Sequence, residues 1–339
     1  MKAQAAPTPS SYVGLCYHYL RPPKTEDPFP RLLGTRRDAF VRQLAMLQQR
    51  YEVLSPEDAQ RCLSQEAHSD RYGVLLTFDD ALADHYEAAR LLAEQGIKAF
   101  FFLPTCVLQD RLPANPTVIH YGIAAFGLEA FLAHYRQALE ACGLSRERYD
   151  VHFQRGMDDP WQAIASVKTM CRYRLKPDDA RRVLLHIYHH ALATAYPEAL
   201  SLMHLSLEQV RKMVRMGHAI GVHSHSHVSV AGARLSEEQF AAEVIAPKRY
   251  LEAVLDVPVT ALSYPFGGRD DCLTWEALIG RTREYELAFT VEEILNTPET
   301  PPLELGRYMP RSTDTDDTLQ AVIERIIAEH EPDRCVSSS

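Results

Sequence analysis

The chain has 339 residues, 46% of them hydrophobic and 24% charged, a composition that excludes disordered and fibrous classes and leaves ample material for a buried core. Its 36 Lys and Arg against 45 Asp and Glu give a net charge of −9 with no basic cluster, which argues against a nucleic-acid partner. No run approaches the ~18 apolar residues of a membrane span, and the first residues, MKAQAAPTPSSYVGL, lack the apolar stretch of a secretory leader, so a cytoplasmic protein without an integral membrane segment is expected.

Residues 1–11 are small, polar and Pro-containing and read as a loose tail. Residues 12–17 (YVGLCY) read as a buried strand ending at His18, followed by a Pro-rich loop to about residue 35. Phe40, Leu44 and Leu47 recur at helical spacing over 36–50. A strand at 52–54 precedes Ser55-Pro56-Glu57-Asp58, a helix start with Pro at its first position. Residues 73–78 (GVLLTF) and 97–103 (IKAFFFL) are continuous apolar runs of the kind buried on both faces, joined by a helix at 84–95 closed by Gly96. That unit predicts a parallel crossover.

Residues 110–205 break the rhythm: helical periodicity, many Tyr, His and Arg, little strand signal. They read as a helical insertion bordering the site, in which His120, His189 and His190 are structural or solvated, and Trp161 and Tyr173 are assigned to packing rather than to stacking on a ligand. Alternation resumes with a helix at 207–216, strand 218–222, helix 236–254, strand 258–264, helix 272–283, strand 286–290 and a final helix at 316–329. Repeated β–α units predict a parallel sheet or a (β/α) barrel, in two parts at 12–109 and 206–330, with a second tail at 331–339. The seven cysteines, Cys335 last among them, are scattered without a C-x-x-C pair, a pattern of a reducing compartment rather than of a disulfide frame or thiolate zinc site.

Three clusters sit at predicted strand ends. Asp79 and Asp80 close the run Thr77-Phe78-Asp79-Asp80. Neighbouring carboxylates point to opposite faces of a regular strand, but where the chain turns at the mouth of a barrel both can line one cavity. Two close carboxylates repel, which a cation resolves: one ligates it and the other stays free as a base. Helix capping is the competing use of such a pair. His223, His225 and His227 follow the strand 218–222. His223 and His227 share a face on a helical turn, whereas an extended segment would present all three, and either arrangement suits a divalent metal. Joined by one Asp, such a set leaves positions open for water and substrate. Ser263-Tyr264-Pro265-Phe266-Gly267-Gly268 is a tight turn that can aim backbone N–H groups at a developing oxyanion.

Thr77-Phe78-Asp79-Asp80, then His223-Ser224-x-x-His227, then Tyr264-Pro265-Phe266-Gly267 resembles the first three motifs of the polysaccharide deacetylase family, the NodB-homology carbohydrate esterases. The matching segments are about 73–104 and 206–268; residues 110–205 lie outside the family core. The resemblance implies a distorted (β/α) barrel of α/β class and a divalent metal, usually zinc, with cobalt, nickel or manganese as alternatives, held by Asp80, His223 and His227. It assigns Asp79 as the general base. Phe266 stands where the family usually has Tyr, a residue that lends its backbone N–H to the oxyanion, and Tyr264, Pro265 and Gly267 around it are expected to contact substrate.

The chain departs from the family in two places. No Arg precedes Tyr264 to steady the base, and Arg311 in Arg307-Tyr308-Met309-Pro310-Arg311 is expected to replace it. The C-terminal His that serves as general acid is missing, and His18 of an N-terminal Tyr17-His18 pair, found in some members, is expected to take its place. The implied activity is hydrolysis of an N-acyl, foremost N-acetyl, group from an amino sugar or glycan. A deformylase or deacetylase of a nucleotide- or lipid-linked sugar and a non-catalytic, metal-containing sugar-binding barrel are the alternatives. Nothing in the sequence sets the oligomeric state.

Overall fold

Short unbroken apolar runs become strands because both of their faces are covered. A computed structural model describes residues 9–64, 69 and 71–330; the tail residues 1–8 and 331–339, with Cys335, lie outside the described residues. The strands are β1 (Tyr12–Tyr17), β2 (Leu20–Arg21), β3 (Thr35–Arg36), β4 (Glu52–Leu54), β5 (Gly73–Asp79), β6 (Phe100–Leu103), β7 (Ala219–Val222), β8 (Ala261–Ser263), β9 (Leu287–Phe289) and β10 (Arg307–Tyr308). Eight of these form one sheet in the order β10-β1-β5-β6-β7-β8-β9, with β4 also on β5. Every pairing within it is parallel. A parallel bridge from Phe289 to Leu305 brings the segment before β10 alongside β9 and nearly closes the sheet into a distorted (β/α) barrel.

Side-chain alternation divides the core. Val74, Leu76 and Phe78 of β5 face the surrounding helices, while Leu75 joins Tyr12, Phe102, Phe289 and Leu305 in a smaller cluster inside the barrel. Helices Arg37–Arg50 and Asp316–His330 cover the outside through Phe40, Leu44, Leu47 and Leu319, Ile323, Ile326. Between Asn115 and Met203 the chain forms helices with a separate core around Tyr121, Phe131, Tyr135 and Leu184.

The predicted elements in the barrel are present, with boundaries shifted by up to three residues. Residues 9–11 correct the expected tail: Pro9 bridges to Ser69, and the Ser11 carbonyl accepts from the Gly73 N–H. The pair β2–β3 and the last strand β10 escaped sequence reading because two residues are too few to show a period. Among the described residues no helix is long and apolar enough to cross a membrane.

Closure is secured by Asn296, fully buried, whose side-chain amide donates to the Gly306 carbonyl at 2.9 Å and accepts from the Gly306 N–H at 2.8 Å. Its backbone exchanges hydrogen bonds with Tyr12 of β1. Asn296→Ala strands the Gly306 N–H in a dry interior and is expected to cost roughly 2–3 kcal/mol, read as a lower urea midpoint with an unchanged slope.

Candidate active site

All strands of a parallel barrel end at one rim, so His18 after β1, Asp80 after β5, His223 after β7 and Tyr264 after β8 emerge together. Asp79, the last residue of β5, points into the barrel interior. Asp80 then takes φ 83°, a left-handed turn that swings the next carboxyl over the same mouth. This is how adjacent carboxylates share a cavity. Ser224 (φ 56°), His227 (φ 64°) and Phe266 (φ 67°) carry similar backbone strain in the other two loops.

Asp80 Oδ1 lies 3.4 Å from His223 Nε2 and 3.1 Å from His227 Nε2. All three residues are buried, with one donor atom from each within 4.8 Å of the others. His223 Nδ1–H donates to the Ser263 carbonyl at 2.8 Å, which leaves the Nε2 lone pair facing Asp80. Asp80 Oδ1 itself is buried and lacks a well-formed hydrogen bond. Burial alone would lower the His223 pKa, yet the Asp79 and Asp80 carboxylates raise it, so a positive charge is favoured at this spot. An orphaned carboxylate oxygen between two imidazole nitrogens fits a small divalent cation with N and O ligands. His225 corrects the three-histidine alternative. It turns outward, its Nδ1 3.0 Å from Thr105 Oγ1 and its Nε2 2.9 Å from Asp110, while Glu243 accepts from the backbone N–H groups of His225 and Ser226 and holds the loop.

Asp79 is gripped by Arg307. Guanidinium Nη1 meets Oδ1 and Nη2 meets Oδ2, each at 2.9 Å, in the fork geometry that suits a carboxylate. Ser263 Oγ donates to Oδ2 at 2.8 Å, and the Cys16 thiol lies 3.3 Å from it. Burial would raise the Asp79 pKa, but Arg307 beside it holds the carboxyl well below the usual carboxylate range. Asp79 is therefore charged and rigid. Arg307 corrects the assignment of Arg311, which is exposed and meets Asp314 through its backbone N–H and carbonyl. The two-residue strand β10 aims Arg307 inward, four positions too early for the expected residue. Ser263 and Cys16 likewise carried no signal in the sequence.

His18 lies at the mouth, its Nε2 3.9 Å from Asp80 Oδ2 and its side chain 27% exposed. Phe266 sets its ring edge-to-face against His227, with centroids 4.7 Å apart. Tyr264, Pro265 and Gly267 are buried beneath that turn, which corrects their expected contact with substrate; Tyr264 donates its hydroxyl to the Leu273 carbonyl. Arg172 of the helical region lies over the Phe266 ring at 3.9 Å and pairs through Nε with buried Asp271 at 2.8 Å, while the Tyr173 hydroxyl donates to the same carboxylate. From Asp80 and His227 a cavity of about 690 Å³ runs out between the barrel mouth and these helices. Trp161 lines it and is exposed, not packed in a core as expected.

A family model described as polysaccharide deacetylase matches residues 187–278. Over that stretch the chain is similar to the polysaccharide deacetylase family. The matched stretch holds His223, His227 and Phe266, while Asp79 and Asp80 lie before it. No curated protein matches the sequence. Among solved structures, Streptococcus pyogenes deacetylase PplD in complex with acetate is 19% identical with a TM-score of 0.57, over 93% of this chain and 99% of that one. IcaB from Ammonifex degensii is 19% identical with a TM-score of 0.55, over 93% and 97%. A de-N-acetylase from Aggregatibacter actinomycetemcomitans is 13% identical with a TM-score of 0.53, over 92% and 99%. These likenesses show a shared barrel fold.

Because Arg307 keeps Asp79 ionised, the stability this carboxylate brings is present above the ordinary Asp pKa of about 4 and is lost as the pH falls below it. Arg307→Met leaves that charge buried without its partner and is expected to cost about 3–5 kcal/mol. It should also move the acidic limb of the pH–rate profile upward by at least one unit, while Arg311→Ala leaves the limb in place. An unmoved limb in the Arg307 variant would remove the positioning role.

Proposed function

We propose that this protein hydrolyses the N-acyl, foremost N-acetyl, group of an amino sugar or glycan. The observation that carries the reading is the convergence of Asp80, His223 and His227 on one point, with Asp79 fixed beside them by Arg307. A divalent cation, zinc by the nature of the donor set, would be held by Asp80, His223 and His227 and would supply an activated water and polarise the acyl oxygen.

The protein groups then divide the work. Asp79, ionised at neutral pH and unable to rotate away from Arg307, accepts a proton from the attacking water. Phe266, in its left-handed turn, offers its backbone N–H to the oxyanion of the tetrahedral state. His18, partly exposed at the mouth, delivers a proton to the departing amine, so that the C–N bond breaks to an acid and a free amine. Cys16 and Ser263 both bond to Oδ2 and limit rotation of the carboxylate, while Oδ1, held only by Arg307, keeps a lone pair for the proton.

Asp79→Asn is expected to reduce turnover of N-acetylglucosamine oligomers by 10²–10⁴-fold, the range for a lost general base, while bound metal measured by elemental analysis stays near one per chain. His223→Ala should instead lose the metal. Wild-type turnover in Asp79→Asn would end the base assignment, and turnover that survives complete chelation would end the metal-dependent reading.

A further inference from the structure

The cavity beside the ion site does not have the wall of a glycan groove. Ile119, Ile123, Leu128 and Ile164 line its body, all from the helical region rather than the barrel. Its rim is equally apolar: Trp161 is 64% exposed, Leu33 58% and Met309 48%. Exposed apolar side chains scattered singly need no explanation, but these three gather at one opening, which marks a binding surface. A hydroxyl-rich chain laid against aliphatic carbon would lose water without gaining partners.

Charge adds a second constraint. Arg31 and Lys168, both exposed, also line the cavity, and among the described residues neither side chain has a hydrogen bond or ion pair. Lys168 is close enough to the centre to feel the charge of Asp80. Two exposed cations at the edge of an apolar cavity, without a carboxylate partner, complement an anion attached to hydrocarbon.

We infer that the substrate is amphiphilic: an N-acylated amino sugar joined through a phosphodiester to a hydrocarbon chain, with the chain in the cavity and the phosphate against Arg31 and Lys168. This rests on the deacylase reading above. Water is consumed, the amide C–N bond breaks, a carboxylic acid and an amine leave, and the phosphodiester is untouched.

Calorimetric binding to the full-length Asp79→Asn protein tests this with N-acetylglucosamine 1-phosphate, its decyl phosphodiester, the uncharged decyl glycoside, and N-decanoylglucosamine. Each buried methylene tightens binding roughly fourfold, so the decyl phosphodiester should bind at least 100-fold more tightly than the parent phosphate. Trp161→Asp and Ile164→Asp should each cut that gain tenfold or more, with the thermal midpoint confirming that they fold. Met157→Ser, exposed and outside the cavity, should leave it intact. The charged ester should exceed the uncharged glycoside by about tenfold, a margin that Lys168→Gln erases. Equal affinity for all the probes, or a gain only when the chain is on the acyl group, overturns the inference. Cleavage of short N-acetylated glycans by the wild type without chain dependence would leave the deacylase reading standing and this one fallen. Tight chain-dependent binding without amide cleavage would do the reverse.

Discussion

A guanidinium and a carboxylate, both stripped of water, face each other beneath the barrel mouth. Neither Arg307 nor Asp79 is tolerable there alone, because an isolated charge in a dry interior costs several kcal/mol. Their mutual attraction, with bonds to Thr77, Ser263 and the Thr290 carbonyl, offsets that cost. The same bonds determine much of the architecture. They pull β10 against β1, direct β5 and β8 toward one point, and fix which oxygen of Asp79 remains available. Arg307 also spans the rings of Phe102 and Phe289, each 5.6 Å away, so the charged layer rests directly on the apolar filling of the barrel.

Above this layer the loops carry strain. Five of the non-glycine residues with positive φ, Asp80, Ala81, Ser224, His227 and Phe266, sit in the three loops that build the site. Such conformations persist only where surrounding bonds impose them. Ser224 Oγ accepting from the His227 N–H and Glu243 gripping the His225–Ser226 backbone are bonds of this kind. The site is held before any substrate arrives, which is the condition for precise electrostatic catalysis.

Much of this was legible in the residues. Apolar runs ending in Asp-Asp and in His-x-x-x-His located two strand ends, and their parallel alternation implied a common rim. What escaped notice obeys a different physics. Arg307 and Arg311 are equivalent in composition, and only the pairing of a two-residue strand, which has no period to read, decides which one turns inward. The burial of Tyr264 and Pro265 depends on the same kind of tertiary detail. Trp161 was misjudged because a large apolar side chain normally belongs in a core, and the sequence does not say which helix face lies over a cavity. His225 shows the limit of spacing arguments: a left-handed turn at Ser224 breaks both the helical and the extended geometry on which its expected direction was based.

Arg307 lies 228 positions beyond Asp79, with the whole helical region between them. Since a ribosome delivers the chain from its amino end, β1 and β5 emerge long before the cation that neutralises the carboxylate. Until then the nascent barrel holds an open seam and a charge that resists dehydration, so that side must stay wet. The finished interior can dry only after the last strand arrives, which ties catalytic competence to the synthesis of β10.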